Sequence, residues 1–231
     1  GARIATGRGN GLMANPNIEL LFRVAEALGE LREQLVFVGG TATALLITDL
    51  AAAQVRVTED VDAIVAIVSL AKYHCLGEDL RARGFSQTLA DGDPPYRWTI
   101  AGMKLDVMPL DATVLGFSNK WYESAMQTAS FVAIGEGLSI RLVTPPCFIG
   151  TKLEAFRDRG KGDYLASHDL EDVLSVVDGR PELVEEIRRT AGDLRAYIAG
   201  AFAQFLLDEN FLNALPGLVI DGSPATRLPV V

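Results

Sequence analysis

The sequence predicts an α/β (α+β) fold: a mixed-sheet core followed by a mostly helical C-terminal part. Three observations lead there. Short apolar runs such as Leu35-Val-Phe-Val38 alternate with helix-period segments up to about residue 143. Val61 to Val68 is almost continuous in Val, Ala and Ile, the pattern of a strand buried on both faces. After Thr144-Pro-Pro146 the period becomes helical throughout, over 147–157, 168–178, 181–190 and 193–207.

Residues 1–16 are Gly-rich and aperiodic and read as a flexible leader. A helix follows on Ile18, Leu21, Phe22, Ala25 and Leu28, with Asn17 as its cap. Leu35–Val38 is a strand that opens through Gly39-Gly40 into a small-residue helix over 41–47. The helix from Leu70 to Arg83 stops at Gly84. Two hairpins are expected, one turning at Ala101-Gly102 between Arg97–Ile100 and Met103–Met108, the other around Gly135-Glu-Gly137. The organisation is then 17–143 as the α/β core, 144–215 as a helical region and 216–231 as an extended tail.

Composition sets bounds on function. The 231 residues carry 21 basic and 30 acidic side chains, a net charge of -9, with 49% hydrophobic residues. That acidity excludes non-specific coating of nucleic acid, so RNA contact must rely on a local patch. The longest uncharged apolar stretches, 35–48 and 196–207, are shorter than the roughly 20 residues a bilayer requires. No signal peptide is expected near Arg3 and Arg8, so the expected location is cytoplasmic, with Cys75 and Cys147 as buried thiols.

The chemistry is expected in Arg56-Val-Thr-Glu-Asp60-Val-Asp62. Residues two apart on a strand project to one side, so Asp60 and Asp62 present paired carboxylates, which repel unless a cation lies between them. Hard divalent ions take such oxygen ligands. Asp106, in Lys104-Leu-Asp-Val-Met108, completes a two-metal set if its strand neighbours that of Asp60 and Asp62. Acidic pairs at strand starts also serve as solvated turns. Gly39-Gly40, between a strand and a helix, lets phosphate approach backbone N–H groups. His74 and His168 are too few for a metal cluster. Tyr96, Arg97 and Trp98 are a candidate base-stacking platform, with Trp98 otherwise core.

The series Gly39-Gly40, Asp60-x-Asp62, Asp106 resembles the nucleotidyltransferase fold of the DNA polymerase β superfamily. Arg56-x-Thr58-x-Asp60-x-Asp62 is similar to the version in the AbiEii/MenT-type toxin nucleotidyltransferases, as is Lys152-Leu-Glu-Ala-Phe-Arg157 followed by Arg159, Lys161, Asp163 and Ser167-His-Asp169. The resemblance spans about 35–178. It implies that Asp60 and Asp62 bind Mg²⁺, two ions in all, together with an NTP. Asp106, the third metal carboxylate, activates the acceptor hydroxyl. Lys152 contacts the triphosphate, and Asp169 orients Lys152 or the base. Gly39, Gly40, Thr41, Arg56 and Thr58 complete the nucleotide site.

The favoured acceptor is a tRNA 3′ end, drawn to a patch of Lys152, Arg157, Arg159 and Lys161, with an antitoxin protein as a partner. From Arg141 to Lys161 five basic residues face two acidic ones, Glu154 and Asp158. The same stretch also reads as a solvated helix face with i,i+3 and i,i+4 pairs. A small aminoglycoside-like acceptor suits the acidic chain, and a catalytically inactive binding module is the remaining reading.

Overall fold

A computed structural model describes residues 15–49, 51–52, 54–87, 93–135, 137–159 and 162–218. It forms two compact units. The first comprises Gly1–Ala44, Val57–Ser118 and Met126–Val143, and the second Leu45–Arg56, Asn119–Ala125 and Thr144–Val231.

The first unit is built on a six-stranded mixed sheet. Its strands are β1 (Leu35–Val38), β2 (Asp60–Val65), β3 (Arg97–Ile100), β4 (Met103–Pro109), β5 (Ser130–Gly135) and β6 (Leu138–Leu142), in the order β3-β4-β2-β1-β6-β5. β1 runs antiparallel to β2 and parallel to β6, while β2 and β4 are parallel. Both expected hairpins form, β3–β4 and β5–β6. At the first, Ala101 and Gly102 both have positive φ, the backbone that a tight two-residue turn between twisted strands requires.

The central strands are the apolar ones. Leu35, Val36, Phe37, Val61, Ala63, Ile64, Leu105 and Val107 are all buried. β2 stops at Val65, three residues short of expectation, and Val68 is 58% exposed. Hydrophobicity there outlasts the pairing, because β2 leaves the sheet once its partners β1 and β4 end.

Helix α1 (Pro16–Leu28) lays Ile18, Leu21, Val24, Ala25 and Leu28 into the core. Its cap is Asn15, with Pro16 opening the first turn, rather than Asn17. Asn17 is buried, and its side-chain oxygen accepts from the Thr58 backbone N–H at 2.9 Å, tying the approach to β2 onto this helix. α2 (Gly39–Leu46) follows β1 directly, and α3 (Leu70–Ala82) connects β2 to β3. Short helices α4 (Ala112–Leu115) and α5 (Tyr122–Thr128) fall where no element was expected. Cys75, expected to be buried, is exposed: Tyr73, Leu76 and Leu80 turn the opposite face of α3 inward.

The second unit is helical: α6 (Pro145–Arg159), α7 (His168–Gly179), α8 (Leu183–Arg189), α9 (Gly192–Leu207) and α10 (Glu209–Leu218). α6 is its centre, burying Cys147, Phe148, Ile149, Leu153 and Phe156. Phe156, Tyr164, Phe205 and Phe211 form an aromatic cluster with ring centroids 4.9–6.0 Å apart. α10 continues through Pro216 to Leu218, so residues 216–218 of the expected tail are helical, and residues 219–231 lie outside the described set. The expected leader likewise falls outside it, apart from Asn15 and Pro16. No helix among the described residues is long and apolar enough to cross a membrane.

Candidate active site

Three acidic residues of the first unit lie on neighbouring strands, Asp60 and Asp62 at the start of β2 and Asp106 midway along β4. Asp62 pairs in register with Asp106 across the parallel β2–β4 ladder, and Asp106 pairs with Arg97 across the antiparallel β3–β4 ladder. Residues directly opposite in a sheet share a face, and Asp60 joins them by the two-residue strand period. The expected adjacency of Asp106 to the Asp60/Asp62 strand is therefore present.

The cation at this centre is one the sequence reading did not place there. Arg97 Nε donates to Asp106 Oδ1 at 2.8 Å. Its Nη2 donates to Asp106 Oδ2 at 2.7 Å and to Asp60 Oδ2 at 3.0 Å. Hydrogen bonding to Asp106 holds the guanidinium still more firmly in its charged form. The Asp106 side chain is 6% exposed and that of Asp60 36%. The base-stacking platform does not form. Trp98 is buried, Tyr96 packs on Phe117 with centroids 4.9 Å apart, and Arg97 faces the carboxylates. Consecutive strand residues point to opposite faces, so Arg97 and Trp98 in β3 cannot share one platform.

Gly39 lies against this centre. It has φ +72°, and a Cβ built there would fall 1.9 Å from Asp62 Oδ2. Any other residue there is strained by the positive φ and displaces the Asp62 side chain. Just beyond, the Thr41 hydroxyl is fully buried with no hydrogen-bond partner. Thr58 is held by Asn17 and bonds weakly to the Asp60 carbonyl at 3.4 Å.

The donor set suits a hard divalent cation: three carboxylates on adjoining strands, at a place that already stabilises positive charge. As the side chains stand, no three His, Cys, Asp or Glu among the described residues are gathered closely enough to hold a metal ion. Asp60 and Asp106 are drawn onto Arg97 instead.

The second unit holds a cluster of its own charged residues. Lys152 Nζ donates to Asp169 Oδ1 at 3.1 Å and lies 2.7 Å from Asp172 Oδ2, the latter an ion pair without hydrogen-bond alignment. Arg159 grips Asp169 through both carboxylate oxygens, at 2.9 and 3.0 Å. Arg56 reaches Glu171 at 3.4 Å and Asp172 at 3.9 Å. Three cations thus face three anions, and a phosphate gains from Lys152 only by competing with buried carboxylates. Ser167 caps α7, while His168 is exposed and pairs with Glu171.

Burial alone would push the Asp169 carboxyl up. The Arg159 hydrogen bond and the Lys152 and Arg159 charges outweigh it and hold the group below its usual 3.8. A carboxylate depressed in the folded state stabilises fully above its unfolded value and loses that contribution as pH falls through the folded one. The stability gap between the wild type and Asp169→Asn is therefore expected to be constant at neutral pH and to shrink below about pH 4. Urea melts across pH 3–7 measure it.

The described cations of the expected patch each have an internal partner, while Arg157 and Arg159 remain exposed. Arg141 donates to the Met126 carbonyl at 2.8 Å, Arg157 stacks over Tyr197, and Lys152 is buried. Arg159 is 71% exposed, though tied to Asp169. Lys161 lies outside the described residues.

No protein-family model matches the sequence, and no curated protein does. Among solved structures, an antigenic nucleotidyltransferase-like protein from Paracoccidioides brasiliensis matches with TM-score 0.51 and 19% identity, over 92% of this chain and 96% of that one. The chain has the fold of that nucleotidyltransferase-like protein. The antibiotic-resistance factor ANT(2″)-Ia matches in solution at 18% identity and TM-score 0.49, over 82% of this chain and 95% of that one. Its crystal structure with adenylyl-2″-tobramycin matches at 15% and 0.44, over 81% and 98%.

Proposed function

We propose that the chain is a nucleotidyltransferase that moves an NMP from an NTP to an acceptor hydroxyl. The observation that carries this is the placement of Asp60, Asp62 and Asp106 on one face of neighbouring strands, beside Gly39 at the start of α2, in a chain with a nucleotidyltransferase-like fold. In the reaction the acceptor oxygen forms a bond to the α-phosphorus as the bond to the leaving pyrophosphate breaks. Asp60, Asp62 and Asp106 are the residues to hold Mg²⁺, which when bound neutralises charge on the phosphates. Gly39 and Gly40 offer close backbone approach to the phosphates at the start of α2, and the unpartnered Thr41 hydroxyl supplies a donor. Asp106, buried and acceptor-only when ionised, is suited to take the proton of the attacking hydroxyl.

For the acceptor, the observations favour a small cationic molecule over a tRNA end. The net charge of -9 attracts cations, and the cations counted toward an RNA patch are mostly engaged in internal contacts. The likeness to the toxin branch, and with it any antitoxin, rests on the Arg56–Asp62 motif and the Lys152–Asp169 run. Incubation with each labelled NTP, Mg²⁺ and either total tRNA or an aminoglycoside panel tests both levels. Pyrophosphate release and label on the small acceptor are expected, lost in Asp60→Asn. Label on tRNA alone reverses the acceptor assignment, and transfer that survives Asp60→Asn removes the catalytic one.

A further inference from the structure

We infer that Arg97 is a built-in counter-ion of the acidic centre, one a divalent cation must displace, so that Arg97 sets how tightly that cation binds. The inference rests on the proposed metal-dependent function and adds to it a residue and an order of events.

Three features lead to it. Arg97 is the direct cross-strand partner of Asp106, so its side chain emerges on the face that carries the carboxylates. Its two donor nitrogens engage both oxygens of Asp106 and one of Asp60, within 2.7–3.0 Å. These are the oxygens a hard cation would use, so guanidinium and metal cannot hold Asp106 together in this arrangement. Finally, Asp106 is nearly without solvent, and a carboxylate so placed is stable only beside positive charge. The Arg97 side chain is 23% exposed, which leaves it a route outward when the metal arrives.

The consequence has a definite sign. Removing Arg97 takes away the competitor and one unit of local positive charge, and both changes strengthen metal binding. The metal-free protein, in contrast, loses its neutralising group and becomes less stable. Metal affinity and metal-free stability should therefore move in opposite directions in the Arg97 variant, tighter for the metal and weaker without it.

Calorimetric titration of the full metal-free chain with Mn²⁺ alone, and thermal melts in chelator and in Mn²⁺, read both. Arg97→Ala is expected to bind Mn²⁺ at least about tenfold more tightly than wild type, with a lower Tm in chelator and a larger gain on adding metal. Arg97→Gln, which keeps hydrogen-bonding capacity without the charge, gives the same direction if the Ala variant fails to fold. Equal or weaker Mn²⁺ binding by the folded variants, with wild type binding the metal, overturns the role of Arg97 and leaves the metal-dependent reading standing. No binding by wild type or any variant removes the metal-dependent reading itself, and this inference with it.

Discussion

Lys152→Met is expected to destabilise the protein by about 3–5 kcal/mol, a fall in Tm on the order of 10 °C for a chain of this length. Lys152 is the shared cation of two buried carboxylates, and its side chain is 11% exposed. Asp169 keeps the two-pronged grip of Arg159 when the lysine is gone. Asp172 does not fare as well. Its side chain is 3% exposed, and Arg56 remains 3.9 Å away, too far for a hydrogen bond. The cost is therefore that of an uncompensated buried charge, well above that of the lost pair alone. A second variant separates the two. Lys152→Met with Asp172→Leu removes the stranded carboxylate and should recover most of the loss. Denaturant unfolding of the wild type and both variants measures this, and a single variant within about 1 kcal/mol of wild type would end the argument.

The sheet was legible because its strands announce themselves locally. Leu35–Val38 is an apolar run ending in glycine, β2 is an apolar run that begins in charge, and the Ala101-Gly102 turn marks the hairpin it joins. What local pattern does not carry is where an element stops when its partners, rather than its own residues, decide. β2 ends at Val65 although the sequence stays apolar to Val68, and α10 runs through Pro216 into a stretch that looked extended. The Asn15–Asn17 exchange has the same origin. Both residues are good caps, and only the position of Pro16 and a distant backbone N–H at Thr58 assign one to the helix end and the other to the core.

The candidate site divides along similar lines. The periodicity of Asp60 and Asp62 fixes their shared side, and the strand pattern around Asp106 allowed the adjacency that the β2–β4 register provides. Arg97 was read with its neighbours in sequence, Tyr96 and Trp98, whereas its actual neighbours are across the sheet. The missed signal was available: a strand pair joined by a two-residue turn fixes its register, and counting back from Ala101-Gly102 sets Arg97 opposite Asp106. Asp172 was harder to see. Its pairing with Lys152 depends on the packing of α6 against α7, which no spacing within either helix encodes.

Asp106→Asn is expected to lower nucleotidyl transfer by about 10²–10³-fold, the range seen when one preorganised electrostatic group is removed from a reacting centre. The change is isosteric. An Asn oxygen still accepts one bond from Arg97, so the fold survives, and Tm should move by only a few degrees. Chemically the residue is changed completely. It can no longer take a proton, and its charge no longer joins those of Asp60 and Asp62 in holding a cation. Arg97 then retains a charged partner only in Asp60; if that half-paired guanidinium caused the loss, removing it as well, in the double variant with Arg97→Ala, would restore activity. The comparison of the two variants therefore isolates the carboxylate. Asp106→Asn should lose kcat with little change in KM for the NTP, and the double variant with Arg97→Ala should be no more active. Retention of more than a tenth of the wild-type rate in Asp106→Asn would place the chemistry elsewhere, on Asp60 and Asp62 alone.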